Sequence, residues 1–338
     1  MRVLILYNLA RDVKKGDEQD LICEQEISII VPLVSEALSL QGHDTQTLET
    51  TFDVWEHLKA KKETFDIVFN LAEAFGWTNK HETLIPAMLE ALEIPFTGAT
   101  AQNMHLTLDK EKTKLAVLHY GIPVPEYQVM RNADDVFQSN LRFPLIVKPI
   151  REEASIGIQI GSVVNSVANL RERVALVLDK YAQPALVEQF IEGREISVGV
   201  VGNPPNLTVF PPLEFVFPDA TSAFEQIRSY EYKWGGRKEQ MIRASLPEQL
   251  VTRLIEYTKT AYVVTECRDY ARMDYRIDKQ GNIYLLEVNY NPGIGPNTHG
   301  LNNTLTMMAS FVGNSFEDLL EQILLIAAKR YGIEEKGE

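Results

Sequence analysis

Apolar positions along the chain keep changing period, and each change predicts an element. Val3–Tyr7 is a short unbroken apolar run, the pattern of a strand buried on both faces. Across 24–40 the apolar residues Ile27, Ile30, Val31, Val34 and Leu38 recur at helical spacing, and Gly42 is a fitting stop. Strands near 45–48 and 67–70, helices near 53–61 and 82–92, and a short strand at 95–97 continue the alternation. Strand and helix in turn predict a parallel α/β unit whose ligands lie at the carboxyl ends of its strands. Arg11–Asp20 interrupts this pattern as a polar loop. Glu26 falls near the start of the first helix, where the dipole favours a carboxylate, with or without a ligand.

The texture changes at Asn103–Asp109, which marks a second unit. Lys110–Tyr120 reads as a helix closed by Gly121 and followed by Pro123. A strand at 127–130 and a helix after Asp134 lead to the apolar strand 145–147, which ends on Lys148. An unpaired ammonium is costly to bury; a bound phosphate would compensate it, and so would snorkelling to water. REEASIGIQIG (151–161) follows as a loop whose backbone N–H groups can fold over phosphates, although its glycines are few. After a helix at 166–181, ALVEQF and REISVGVV read as strands around the turn Glu192-Gly193, and 213–217 as another. The segment 218–243 is long, polar and aromatic and has no clear period, which suits an active-site cover. Lys233 and Trp234 lie in it, with Gly235-Gly236 as a hinge. A helix at 247–264 starts on Pro247, and Ser315-x-x-Asp318 caps a last amphipathic helix, 316–330. Between them Gly293-Ile294-Gly295 can present backbone N–H groups to an anion, but Pro296 rules out a dinucleotide fingerprint.

The stretch ARMDYRIDKQGNIYLLEVNYNPG (271–293) organises the rest. Both arms alternate, and 278–282 is turn chemistry, so it reads as a hairpin. Arg272, Asp274 and Arg276 then share a face of one strand, and Leu285, Glu287 and Asn289 a face of the other. Pairing Asp278 with Ile283 sets Asp274 opposite Glu287 and Arg272 opposite Asn289, on one face. Slipping the register by one residue separates the acids. Adjacent carboxylates repel unless a proton or cation lies between them, and hard oxygen donors suit magnesium carrying phosphate. Asp274, Glu287 and Asn289 therefore form a candidate metal–phosphate site, with the forked donor Arg272 reaching the reacting group. In isolation the same acids also read as a solvated hairpin.

Composition narrows the function classes. A chain of 338 residues holds two or three domains. Thirty-three Lys+Arg against 47 Asp+Glu give a net charge of −14, which argues against nucleic acid or an anionic membrane as partner. A polyanion site in such a chain must gather its cations locally. Two cysteines, Cys23 and Cys267, form no CxxC, so neither a zinc site nor a disulfide framework is suggested. The opening MRVLILYN is too short for a signal peptide and no stretch approaches a membrane span, so a cytoplasmic protein is expected.

Five motifs in order carry a resemblance. Lys110, Lys148, VEQFIEGRE, RMD and LLEVNYNPG resemble the ATP-grasp ligases, and within them the D-alanine–D-alanine ligases. PAMLEALEIPFTG (86–98) leading into LDKEKTK (108–114) is also typical of that family, and the likeness spans nearly the whole chain. It implies an ATP-grasp fold behind an N-terminal parallel α/β domain, divided here as 1–102, 103–184 and 185–333. It implies magnesium, two ions or manganese in their place, on Asp274, Glu287 and Asn289, and ATP phosphates on Lys110, Lys148 and Lys233. Base and ribose would lie against Glu188, Gln189, Phe190, Ile191 and Glu195, and Gly293 belongs with the same nucleotide site. Arg272 would hold the substrate carboxylate and steady the oxyanion, and Glu26 would receive the first amino acid's ammonium group. Members are often homodimers acting on small amino acids or dipeptides.

The departures lie on the substrate side. The family's loop has a serine where this chain has Ala154, and its cover has a tyrosine at Trp234. The segment 72–83 lacks the family's His-Gly, and Thr298 stands in for a serine-rich run. Alanine and tryptophan cannot make the same hydrogen bonds. The resemblance thus implies an ATP-dependent carboxylate–amine ligase working through an acyl phosphate. D-alanine is the simplest substrate, and other amino acids of a small-peptide pathway are the alternative. A non-catalytic ATP-binding protein and a phosphotransferase acting on a hydroxyl are the competing classes.

Overall fold

The computed structural model describes residues 1–11, 26–75, 81–138, 140–298, 301 and 303–333. β1 (Arg2–Tyr7), α1 (Ile27–Leu40), β2 (Asp44–Glu49), α2 (Val54–Lys61), β3 (Ile67–Asn70) and α3 (Leu84–Ala91) form the first unit. Its three strands are parallel in the order β2-β1-β3, as the alternation predicts. β1 is buried through Val3–Leu6 because helices cover both faces, which is what its unbroken apolar run requires. The expected strand at 95–97 shrinks to a single bridge, Val68 to Phe96. The expected loop at 11–20 lies, beyond Arg11, outside the described residues.

α4 (Ala101–Leu108) and α5 (Lys110–His119) follow, each capped by a side chain, Thr100 and Asp109. Sequence texture gave no helix at 101–108; its cap, Thr100, was the available signal. β4 (Tyr127–Met130), β5 (Leu145–Pro149), β6 (Val163–Val164), α6 (Val167–Tyr181) and β7 (Ala185–Gln189) make an antiparallel sheet, β4-β7-β5-β6, with α6 against it. The helix expected after Asp134 does not form. The Asp135 carboxylate instead accepts the N–H groups of Arg131 and Asn132, the local competition that pulls Asp out of helices.

β8 (Gly193–Asn203), β9 (Asn206–Val209), β10 (Leu213–Val216), α7 (Tyr230–Lys233), β11 (Gln240–Arg243), α8 (Glu248–Val264), β12 (Tyr270–Asp278), β13 (Ile283–Asn289), α9 (Thr304–Ser310) and α10 (Phe316–Arg330) complete the chain. The second antiparallel sheet runs β11-β10-β8-β12-β13, with β9 on β8. β7 and β8 do not pair around Glu192-Gly193 as expected: the chain leaves one sheet there and enters the other. Pro247 caps α8 rather than opening it, and the Ser315–Asp318 capping box starts α10 as predicted.

The central hairpin forms with a correction. Asp278 N–H donates to Asn282 O at 3.0 Å and Ile277 faces Ile283, so the turn is one residue tighter than the expected Asp278–Ile283 pairing. The Asp278 carboxylate ties the turn by accepting the N–H groups of Gln280 and Asn282. A β-bulge then shifts the register between Asp274 and Tyr275 and restores Asp274 opposite Glu287 and Arg272 opposite Asn289. The bulge also moves Leu285 off the Glu287 face. Leu285 and Val288 enter the core with Ile196, Val198 and Met273, while Leu286 and Glu287 face the cleft.

The first unit is fastened to this sheet beside the hairpin. Gly98 N–H donates to Asp269 Oδ2 at 2.9 Å and Ala99 N–H to Asn291 Oδ1 at 3.0 Å. Gly98 has φ +84°, and a Cβ there would lie 2.5 Å from Asn291 Oδ1, so only glycine permits the approach. Arg330 clamps the same Asp269 from α10 at 2.7 and 3.0 Å. Apolar residues of β1, α1 and α10 share one core.

Candidate active site

Two cavities meet at the hairpin. A cleft of about 850 Å³ opens between the two antiparallel sheets, with Ile146, Phe190, Ile191 and Leu286 among its apolar walls. Its charged walls include Lys148, Glu188, Glu195, Arg276, Asp274 and Glu287. A second cavity of about 770 Å³ lies under the first unit, reached by Asn8, Leu71 and Glu73 from just beyond the ends of β1 and β3. The carboxyl-end rule for parallel strands therefore holds. Glu26, at the N-cap of α1, and Asn289 and Gly293 also line this cavity. Glu153, Ala154, Lys233 and Arg272 line both.

Strand register explains the cleft. Across from β12, β8 sets Ser197 beside Asp274 and Glu195 beside Arg276. Arg272 holds Asp274 with two parallel bonds, Nε to Oδ1 and Nη2 to Oδ2, both 2.9 Å. Ser197 Oγ donates to Asp274 Oδ1 and Asn289 Nδ2 to Oδ2, the latter at 2.8 Å. Burial opposes ionisation of Asp274, but Arg272 and Ser197 hold its carboxyl below the usual range. Glu287 pairs with Lys110 at 3.3 Å. Each acid of the expected metal set thus faces the cleft with a cation at hand.

Lys148 and Lys114 share one buried acid. Lys114 Nζ lies 2.6 Å from Glu188 Oε1, and Lys148 contacts Oε2. Burial alone would raise Glu188, but the two ammonium groups outweigh it and bring its pKa to about 2. Burial lowers Lys114; Lys148 rises despite burial, because Glu188 and then Glu287 favour its charge. Two buried ammonium groups on one carboxylate leave a net positive charge at the cleft wall, which suits an anion. Sequence reasoning singled out Lys110 and Lys148 but not Lys114. Its spacing four residues after Lys110 on α5 was the signal. Lys110 itself sits behind Glu287, its Nζ donating to Glu152 O.

Glu195 pairs with Arg276 Nη1 at 3.1 Å, yet burial pushes it up to about 7, with Asp274 adding to the rise. Arg276 also lies 5.0 Å from the Phe190 ring centroid, so this part of the cleft offers an apolar face beside a carboxyl. Gly293, expected with the nucleotide, falls instead on the second cavity.

The segment 218–239 covers the junction. Trp234 Nε1 donates to Ala154 O at 3.2 Å and Ser155 Oγ to Arg228 O at 2.8 Å. Tyr230 N–H donates to Ile158 O at 2.8 Å. The indole thus bonds a backbone carbonyl, a contact that needs no hydroxyl at 154. The Lys233 ammonium sits 4.8 Å from the Trp234 ring centroid.

For the two groups the resemblance implies, the donor chemistry fits. The cleft joins an apolar slot to a cationic wall, as a nucleotide triphosphate needs. Asp274, Glu287 and Asn289 are hard oxygen donors on adjacent strands, as magnesium needs. Among the described residues no third acid joins Asp274 and Glu287 in a preformed metal cluster.

This arrangement of sheets, cleft and cavity defines an ATP-grasp fold. The D-alanine–D-alanine ligase of Bacillus anthracis, solved with ATP, superposes with a TM-score of 0.76 at 19% identity, over 99% of this chain and 100% of that one. VanG D-Ala:D-Ser ligase of Enterococcus faecalis gives 0.71 at 18%, over 97% and 100%. In sequence, the D-alanine–D-alanine ligase of Carboxydothermus hydrogenoformans is 31% identical over 90% of this chain and 94% of its own. An uncharacterized protein of Sinorhizobium fredii is 33% identical over 89% and 88%. The family model "D-ala D-ala ligase C-terminus" matches residues 117–325. The chain belongs to the D-alanine–D-alanine ligase family.

Proposed function

We propose that the protein is an ATP- and magnesium-dependent ligase that joins two amino acids through an acyl phosphate. One observation carries the reading: Arg272, the guanidinium bonded to Asp274, lies where the cleft and the second cavity join. ATP fits the cleft, with its base against Phe190 and Ile191, its ribose toward Glu195 and its phosphates toward Lys148 and Lys233. The first amino acid fits the second cavity, its ammonium toward Glu26 and its carboxylate toward Arg272. That carboxylate attacks the γ-phosphorus and ADP leaves. An amine then attacks the acyl carbon, and phosphate departs with the C–O electron pair. Magnesium, held by Asp274, Glu287 and Asn289, would neutralise charge building on the phosphate oxygens. Arg272 steadies the tetrahedral oxyanion, and the cover segment keeps water from the acyl phosphate.

D-alanine is the simplest substrate. The Trp234–Ala154 contact favours a second reading, a ligase for other amino acids, because Trp234 lines the second cavity and not the cleft. Incubation with ATP, magnesium and a panel of D- and L-amino acids, followed by product masses, tests both. Phosphate release only when an acid and an amine are both present supports the ligase over a phosphotransferase. No helix among the described residues is long and apolar enough to cross a membrane, and we place the reaction in the cytoplasm, in a homodimer as the family implies.

A further inference from the structure

Under the ligase reading, the acyl phosphate forms where the two cavities meet, so the attacking nitrogen must arrive there too. An amino acid acceptor enters as an ammonium ion. Of the four residues lining both cavities, Glu153 is the carboxylate. Glu26 lines the second cavity, and Glu73 that cavity and a smaller one beside it.

The position of Glu153 is fixed from three sides. Tyr290 Oη donates to its Oε2 at 3.1 Å from a buried ring. On one flank the Glu152 carbonyl takes the Lys110 ammonium. On the other, Ala154 and Ser155 are held at left-handed φ values of 52° and 64°. The Trp234 and Ser155 contacts to the cover segment brace that turn. Non-glycine residues in this conformation cost energy, and such strain persists only where the surroundings enforce it.

We infer that Glu153 receives the ammonium group of the amine-donating amino acid and aims its nitrogen at the acyl carbon beside Arg272. This rests on the ligase reading and adds to it the residue that recognises the acceptor. Burial, and then Glu73, push Glu153 up to about 8, so its carboxylate gains from an arriving cation. In the step that follows, one ammonium proton passes to water, which frees the nitrogen lone pair; that pair forms the C–N bond as the acyl C–O bond breaks toward phosphate. The second proton leaves on phosphate. A neutral amine needs no such partner, so Glu153 selects amino acids over neutral nucleophiles.

The test uses the full-length protein, ATP, magnesium and the amino acid pair giving most product in the panel. Glu153→Gln should raise the KM for the acceptor about tenfold or more and leave the KM for ATP within about twofold. Hydroxylamine, a neutral amine, should still trap the acyl phosphate as hydroxamate at the wild-type rate. Glu153→Asp, which keeps the charge on a shorter arm, should recover part of the acceptor affinity; it also serves if the amide variant does not fold. An unchanged acceptor KM overturns the inference, and so does equal loss with hydroxylamine, which would tie Glu153 to the first half-reaction. A wild type that releases no phosphate with any pair overturns the ligase reading itself, a different outcome from either.

Discussion

The cleft and the second cavity share a rim but are built in opposite ways. In the cleft, cations meet buried acids on the sheets: Lys148 on Glu188 and Arg276 on Glu195 across paired strands, and Arg272 on Asp274 two residues along β12. Register sets the first two, since β5 faces β7 and β8 faces β12, and side-chain alternation along β12 sets the third. The second cavity is lined from a helix N-terminus, two loops after parallel strands and the cover segment. It carries three acids, Glu26, Glu73 and Glu153, against Lys233 and Arg272 on the shared rim. Charge chemistry on a rigid sheet and recognition on connecting segments can change independently. Ala154 and Trp234 are changes of the second kind, and Glu73 lies in the 72–83 segment that also departs from the family.

Breaking the strand-borne side should give the largest effect. Glu188→Ala leaves Lys114 and Lys148 buried without their acid, and stability should fall by about 3–5 kcal/mol in chemical denaturation. The acid dependence checks the cause. The folded pKa of Glu188, about 2, lies below its ordinary value of 4.5, so its contribution is full above pH 4.5 and is lost as pH falls toward 2. Wild type should weaken across that window, and Glu188→Gln should flatten the decline. Equal slopes in the two proteins would remove Glu188 from the account.

Arg272→Ala comes next. Losing a donor to the oxyanion costs about 2.7–4 kcal/mol in the transition state, roughly 10²–10³-fold in turnover. ATP should still bind, as calorimetry would show, because the apolar slot and Lys148 remain. Turnover at the wild-type rate would refute the role given to this guanidinium.

How far the sequence led follows the same division. Tyr127–Met130 and Ile67–Asn70 were readable to the residue, the first because its buried positions alternate and the second because it is a short apolar run buried throughout. Asp274 was placed opposite Glu287 from alternation, although through a turn register that was off by one. The bulge that compensates leaves no mark in a pattern of apolar and polar letters; it shows only in Leu285 turning inward and in Lys114 Nζ taking the freed Leu286 carbonyl at 3.2 Å. Glu153 escaped notice because REEASIGIQIG has no period and its meaning depends on Tyr290, 137 residues away. Lys114 escaped because one lysine of three in LDKEKTK carries no sign of burial until Glu188 is set beside it.

On the loop-borne side, Glu153→Gln sharpens the comparison through stability as well as catalysis. An acid whose folded pKa is raised from 4.5 to about 8 binds a proton in the folded state that the unfolded chain has lost. Wild-type stability should therefore fall as pH rises from 4.5 to 8. The amide variant escapes that loss, so its melting temperature should exceed wild type at pH 8 and match it near pH 4. A constant gap at all pH values would mean that packing, not charge, separates them.

The smallest effect belongs to the latch. Trp234→Phe keeps a large ring over the second cavity but removes the N–H donated to Ala154 O. A neutral hydrogen bond contributes about 0.5–1.5 kcal/mol, so the cover should close about two- to tenfold less favourably. Because the indole lines the second cavity and not the cleft, the cost should appear in the KM for the amino acids and leave that for ATP unchanged. Trp234→Tyr discriminates further. If D-alanine use needs the family's hydroxyl pattern with a serine at 154, tyrosine alone should not raise turnover with D-alanine, whereas Ala154→Ser with Trp234→Tyr should. A double variant no better than the singles would mean that the wall here was rebuilt around other groups, with Glu73 the first to examine.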